Sequence, residues 1–284
     1  GTYTYTYSGA ITNNGTLNFV SGSNSLTGSM SGTGTIGMTG GTNSLAFAVA
    51  GTNLTPSAMT LTGGTLNAGS ANISTLGWTQ SNSTFTNSGT VTIPATGVMN
   101  LGNGSTLAGT GLVTIAASAT ANFTNNVNIS RPFTNSGTVN QGATWTDLYL
   151  NSATGTFTNN GTINLGNAAN VGNLYVYNGA SFTNAATGIV NDIGTGVNSI
   201  GYLQCCSNTA GTAINNGAVN VAAGANLTWY GNNTATNTGS FTTAAATTVP
   251  VAAGGILNIA QTAYLPAGTY TYTYSGAITN NGTL

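Results

Sequence analysis

Seventeen residues, GTYTYTYSGAITNNGTL, open the chain at Gly1–Leu17 and return without a change at Gly268–Leu284. The offset is 267 residues, and a match of this length and fidelity does not arise by chance. It predicts one unit spanning 1–267, with 268–284 as the start of the next identical copy. Internal repetition outranks other sequence signals in deciding architecture. It points to a rod, stalk or filament rather than a self-contained catalyst. The expectation is a longer chain, of which these 284 residues hold one repeat and the beginning of another.

A shorter period runs inside the long one. Its fullest form is apolar-Thr-Asn-x-Gly-Thr-apolar-Asn. It appears as ITNNGTLN from Ile11 (with Asn13 and Gly15) and FTNSGTVT from Phe85 (Asn87, Gly89). It recurs as FTNSGTVN from Phe133 (Asn135, Gly137) and FTNNGTIN from Phe157 (Asn159, Gly161). Looser copies begin at Phe182, Ile214 and Ile278. The spacings cluster between 21 and 26 residues or twice that, so eleven steps of about 24 residues fill the long repeat. Helical solenoids repeat at longer intervals.

Short runs alternate strictly instead. TYTYTYS sets Tyr3, Tyr5 and Tyr7 on one side and Thr2, Thr4 and Thr6 on the other. The runs 173–179 (NLYVYNG) and 90–95 (TVTIPA) alternate likewise, and Asn-Gly, Gly-Gly and Ser-Gly pairs mark turns. The expected fold is all-β: a parallel β-helix, or β-solenoid, of about eleven coils. Each strand would pair with its equivalent one coil on. The apolar motif residues Ile11, Phe85, Phe133, Phe157, Phe182, Ile214 and Ile278 would point inward. Asn and Gly would take the corners, where positive φ is tolerated. Asn and Thr would then stack as ladders of like residues along the axis.

Charge is nearly absent, with one Arg (Arg131), two Asp (Asp147, Asp192) and no Lys, Glu or His. Stacked coils explain this, because charges repeated coil on coil would repel. An uncharged surface also lacks the usual protection against lateral association. Without a basic patch there is no electrostatic footing for nucleic acid, and without a long apolar run there is none for membrane insertion.

Chemistry is equally short of materials. General acid–base catalysis needs titratable groups in reach of substrate, and no base is present to activate Ser or Thr. Two Cys and no His fall short of a zinc site. No carboxylate-rich loop suits calcium. No catalytic, cofactor-binding or metal-ligating residue is expected. Asp147 and Asp192 lie 45 residues apart, near two coils, so one face has room for both. A paired-carboxylate hydrolase would carry more carboxylates and basic residues around its cleft, and both read as turn or surface residues. Arg131, before Pro132, reads as a turn residue. Cys205 and Cys206 are adjacent. Free or buried thiols, a vicinal or intercoil disulfide and an interchain disulfide all remain open, the vicinal one strained.

Phe123, Tyr149, Tyr175, Tyr202 and Trp229 are separated by 26, 26, 27 and 27 residues. At one coil per interval they form an aromatic column. It would be either an internal stack or an exposed strip suited to sugar rings. The Thr2, Thr4, Thr6 row would suit ice, but it is not carried through the other coils.

The TNxGTxN-type coil motif, the Gly, Asn, Thr and Ser richness and the scarcity of charge resemble the β-solenoid shafts of large secreted bacterial adhesins. These are of the filamentous haemagglutinin and autotransporter passenger type. The resemblance implies a right-handed β-helix, export to the cell surface or extracellular space, and a role in adhesion or matrix. The leading expectation is a structural repeat of an extracellular fibre whose partners are copies of itself. Alternatives are an adhesin shaft binding surface glycans and, more remotely, an ice-binding β-helix.

Overall fold

The computed structural model describes residues 3–47, 49–167, 170–194, 197–201, 211–222, 225–230, 248–251, 256–260 and 277–280. Side chains of 143–145 and from 230 onward lie outside the description. Tyr202, Cys205, Cys206 and most of the second copy at 268–284 also lie outside the described residues.

Every described element is a strand, and every strand pairing is parallel with an equivalent one turn away, as in a β-solenoid. Each turn supplies three short strands separated by corners. The turn at Ser105–Gly109, Val113–Ile115 and Thr120–Phe123 shows the order, and the chain then re-enters the first face at Val127. The first and third faces belong to one wrapped sheet, and the second face is a sheet of its own from Asn53–Leu54 to Thr212–Asn215. Ala10–Thr12 and Ser29–Ser31 begin that second face as a separate pair.

Alternation decides what is inside. On the third face Ile36, Met59, Trp78, Met99, Ala121 and Val139 follow one another in register, all essentially inaccessible. On the second face the inward row runs Ile73, Val91, Val113, Phe133, Phe157, Phe182. The later phenylalanines of this row, Phe157 and Phe182, have a geometric reason. Successive equivalent residues are 19 apart at Asn24–Asn43 and 18 at Asn122–Asn140, but 24 at Asn140–Asn164 and 27 at Asn164–Asn191. Longer turns enclose a wider interior, and a close-packed core needs larger side chains to fill it.

The uniform period of about 24 residues is thus an average over turns that lengthen along the chain. All three faces are complete over about nine turns, where the sequence predicts about eleven. Strands at Ile256–Ala260 and Ala277–Asn280 carry the first and third faces onward.

Candidate functional site

The motif copies do not share one position in the turn. Phe133, Phe157 and Phe182 stack on the second face. Phe85 lies on the first face, in register with Leu66 and Leu107. Ile11 lies on the second face but Ile278 on the third, paired with Val249. The motif is a strand–corner–strand unit that fits more than one corner, so equal sequence does not mean equal place. Ile214 is a further correction. It faces outward at 37% exposure, because Asn215 keeps the register of Asn184 and Ala213 takes the inward position of Phe182.

The motif asparagines form two ladders. Inside the corner after the second face, Asn135, Asn159, Asn184 and Asn215 are all fully buried. Each Nδ2 of the first three donates to the next Oδ1, at 2.8, 2.8 and 2.7 Å. The same Nδ2 atoms also donate to the carbonyls of Thr162, Ile189 and Ala218. Asn13 and Asn87 occupy equivalent corner chemistry, donating to the carbonyls of Thr35 and Ala71. The outer ladder uses the last Asn of the motif: Asn100, Asn122, Asn140, Asn164, Asn191 and Asn220, on the outside of the third face. Each after Asn100 donates back one turn at 2.7–3.0 Å. The two ladders run with opposite polarity. Beside the inner ladder, on the outside of the second face, Thr92, Thr114, Thr134, Thr158 and Thr183 stand in register.

The corner glycines of the motif act through closeness rather than through φ. Gly137 and Gly161 are not among the residues of positive φ. A Cβ on Gly161 would lie 2.2 Å from the Gly137 carbonyl oxygen, and one on Gly89 2.1 Å from that of Ala71. Gly15, on the first turn, has nothing within 4 Å of its Cβ position. Positive φ falls at other corners, Asn82 and Asn178 among them.

Of the five aromatics expected in one column, the four described ones divide between inside and outside. Phe123 and Trp229 are buried, and the internal stack runs Phe123–Phe133–Phe157–Phe182–Trp229 with centroid separations of 4.9–6.0 Å. Phe123 sits on the third face, whereas Trp229 sits on the first. Only Tyr149 and Tyr175 pair as predicted, on the outside of the first face, 5.6 Å apart. Tyr177 joins them at 6.3 and 5.9 Å. The equal intervals misled because turn length varies and a one-residue shift reverses the side.

Nor does the fold bring the two aspartates together. Asp147 faces outward on the first face, accepting from Tyr149 Oη at 3.1 Å and Asn173 Nδ2 at 2.8 Å. Asp192 points inward on the third face, between its register mates Leu165 and Val221, and is fully buried. It is not the surface residue expected. Burial pushes its carboxyl up to about 7, against hydrogen bonds from Asn198 and Gly194 that hold it down. Aligned motif copies do carry a signal. The residue after the last Asn is Leu165 in one copy and Asp192 in the next, so an inward carboxylate was readable.

Arg131 is also buried, contrary to expectation. Its guanidinium donates to the carbonyls of Gly111 (2.7 Å), Ala108 (3.2 Å) and Gly89 (3.2 Å), and lies 5.8 Å from the Phe85 ring centroid. Burial lowers its pKa to about 10. It ties together corner carbonyls of the two preceding turns and makes no salt bridge to Asp147 among the described contacts.

No protein-family model matches the chain, and no curated protein matches it. Among solved structures, a fragment of TibA hyperglycosylated through TibC catalysis is similar. The identity is 14% and the TM-score 0.29, over 99% of this chain and 95% of that chain. A likeness at that level carries no argument about function.

Proposed function

We propose that this chain is a structural, non-catalytic repeat of an extracellular or cell-surface fibre, built by continuing one solenoid from repeat to repeat. The observation that carries the reading is the verbatim return of residues 1–17 at 268–284, in a fold whose strands pair in parallel one turn on. In such a fold a second copy prolongs the same ladders without a new kind of interface. Thr4–Tyr7 pairs with Ser23–Leu26 on one side, and Tyr3, Tyr5 and Tyr7 are 67, 61 and 49% exposed. In a tandem array the preceding copy's last turn covers such rings, and the open strand edge disappears into the rod. The uncharged flanks favour side-by-side packing with other copies.

The test is the mass of the native material after denaturation and reduction. The expected result is a mass far above 28.0 kDa, the mass of these 284 residues, rising in steps of one 267-residue unit. A single species near 28 kDa overturns the reading.

One observation favours a second role on the same shaft. Tyr149, Tyr175 and Tyr177 gather outside the first face beside Asp147 and Asn173, and aromatic faces with carboxylate and amide neighbours suit sugar rings. Glycan-array binding lost in Tyr175→Ala supports it, and an array without signal removes it.

A further inference from the structure

One of the chain's two acidic side chains is placed against a phenol. Asp147 and Asp192 are the only such residues in the sequence, and Asp192 is buried inside the third face. Asp147 lies outside the first face, where its Oδ2 accepts from Tyr149 Oη at 3.1 Å. Asn173 Nδ2 donates to the other oxygen at 2.8 Å and so holds the carboxylate in place. Asn173 is the register mate of Asp147 one turn on, and Tyr175 is that of Tyr149. The pairing that sets the amide against the carboxylate therefore also sets the two phenols side by side.

Within the tyrosine cluster the ring angles single out one pair. Tyr149–Tyr177 and Tyr175–Tyr177 stack at 25° and 21°, presenting faces to each other. Tyr149–Tyr175 is the closest of the three, at 5.6 Å, and is tilted by 34°. Both of its rings are half-buried, whereas Tyr177 is buried. The pair that an oxidant reaches is thus also the pair least committed to face-on stacking.

A phenol is oxidised one electron at a time, and its hydroxyl proton leaves with the electron. A carboxylate already at hydrogen-bond distance takes that proton directly. Two neighbouring phenoxyl radicals then couple. We propose that Tyr149 and Tyr175 are a site of oxidative cross-linking, forming a dityrosine bond across two successive turns when a haem peroxidase and hydrogen peroxide are supplied. Each phenol gives up one electron and its hydroxyl proton, that of Tyr149 through Asp147. A carbon–carbon bond forms between ring carbons ortho to the two oxygens. The hydrogen on each of these carbons moves to its own oxygen as the rings regain aromaticity. The peroxide takes up the two electrons and two protons and leaves as two waters. The product ties Thr146–Asn151 to Gly172–Tyr177 covalently. The proposal rests on neither the fibre reading nor the sugar-binding role.

The test treats the full chain, dilute and near neutral pH, with a haem peroxidase and limiting hydrogen peroxide. The fraction that keeps the mass of one chain under denaturing conditions is digested with thermolysin, and linked peptides are followed in time by mass spectrometry. A Tyr149–Tyr175 product lighter by two hydrogens is expected, ahead of any Tyr3–Tyr5 product. Tyr3 and Tyr5 serve as the control. They are 6.5 Å apart, tilted by 31° and more exposed, with no acid among their described contacts. Asp147→Asn should keep the β circular-dichroism spectrum and slow the link about tenfold or more, with the rate returning as pH nears about 10, where phenols ionise unaided. Tyr175→Phe should abolish the link and leave the spectrum unchanged. A faster Tyr3–Tyr5 link, an Asp147→Asn rate equal to the parent's, or no Tyr149–Tyr175 product overturns the proposal.

Discussion

Replacing one asparagine in each ladder separates what burial does from what hydrogen bonding does. Asn159 is inaccessible. It accepts from Asn135, donates to Asn184 Oδ1 and donates to the Ile189 carbonyl. In Asn159→Ala, Asn135 keeps its bond to the Thr162 carbonyl, but Asn184 Oδ1 loses its donor where water has no access. A stranded buried acceptor costs about 1–3 kcal/mol and each other lost bond about 1 kcal/mol, so the expected loss is about 4 kcal/mol. Asn164 makes the same ladder contacts, donating to Asn140 and accepting from Asn191 at 2.9 Å. It is only half-buried. Water replaces the missing partners there, and Asn164→Ala should cost about 1 kcal/mol or less. Urea unfolding followed by circular dichroism, with unchanged m-values, measures both. Equal losses for the two variants would refute the reasoning, as would an Asn159→Ala loss below about 1 kcal/mol.

Gly161→Ala should destabilise strongly, because its Cβ would meet backbone at 2.2 Å, whereas Gly15→Ala has open space and should be near neutral; melting the pair decides it. Phe157→Asp puts a charge between Phe133 and Phe182 in the internal stack, and a melting temperature unchanged from the parent would disprove the core assignment. Asp192 gives stability a pH dependence. Its folded pKa of about 7 lies above the ordinary 3.8, so the folded state holds a proton that the unfolded chain has released. Stability is fully present below pH 3.8 and falls by about 1.4 kcal/mol per unit as pH rises towards 7. Asp192→Asn should flatten the profile, and a stability that rises with pH over this window would contradict the assignment.

The solenoid was legible because TNxGTxN couples an inward apolar residue, a corner and a second strand within eight letters. Phe133, Phe157 and Phe182 therefore fell on one face as expected. Phase along the chain was less legible. The 48 residues from Phe85 to Phe133 look like two coils but span two shorter turns and part of a third. The aromatic intervals failed for the same reason, since Phe123 and Tyr149 differ in both face and side. Arg131 and Asp192 were misread because charge ordinarily means surface. What buries them is local: corner carbonyls converge on one, and the other occupies a position that the preceding copy of the motif gives to leucine. Glycine at the corners was anticipated, but for its φ. The cause, contact with the carbonyl one turn before, exists only once turns are stacked.

The lengthening turns have a consequence for any rod made of such units. Equivalent asparagines are 19 residues apart near the start and 29 apart at Asn191–Asn220, yet each turn climbs by the same interstrand step of about 4.8 Å. Between Asn140 and Asn164 the extra residues lengthen one continuous strand, Thr138–Asn151, and so go into girth. A tandem array of such units would swell along each unit and then step back, tracing a sawtooth with one tooth per 267-residue unit. Every tooth slants the same way, so a projected filament image would reveal its chain direction. Neighbouring filaments would mesh tooth to notch in one relative orientation only.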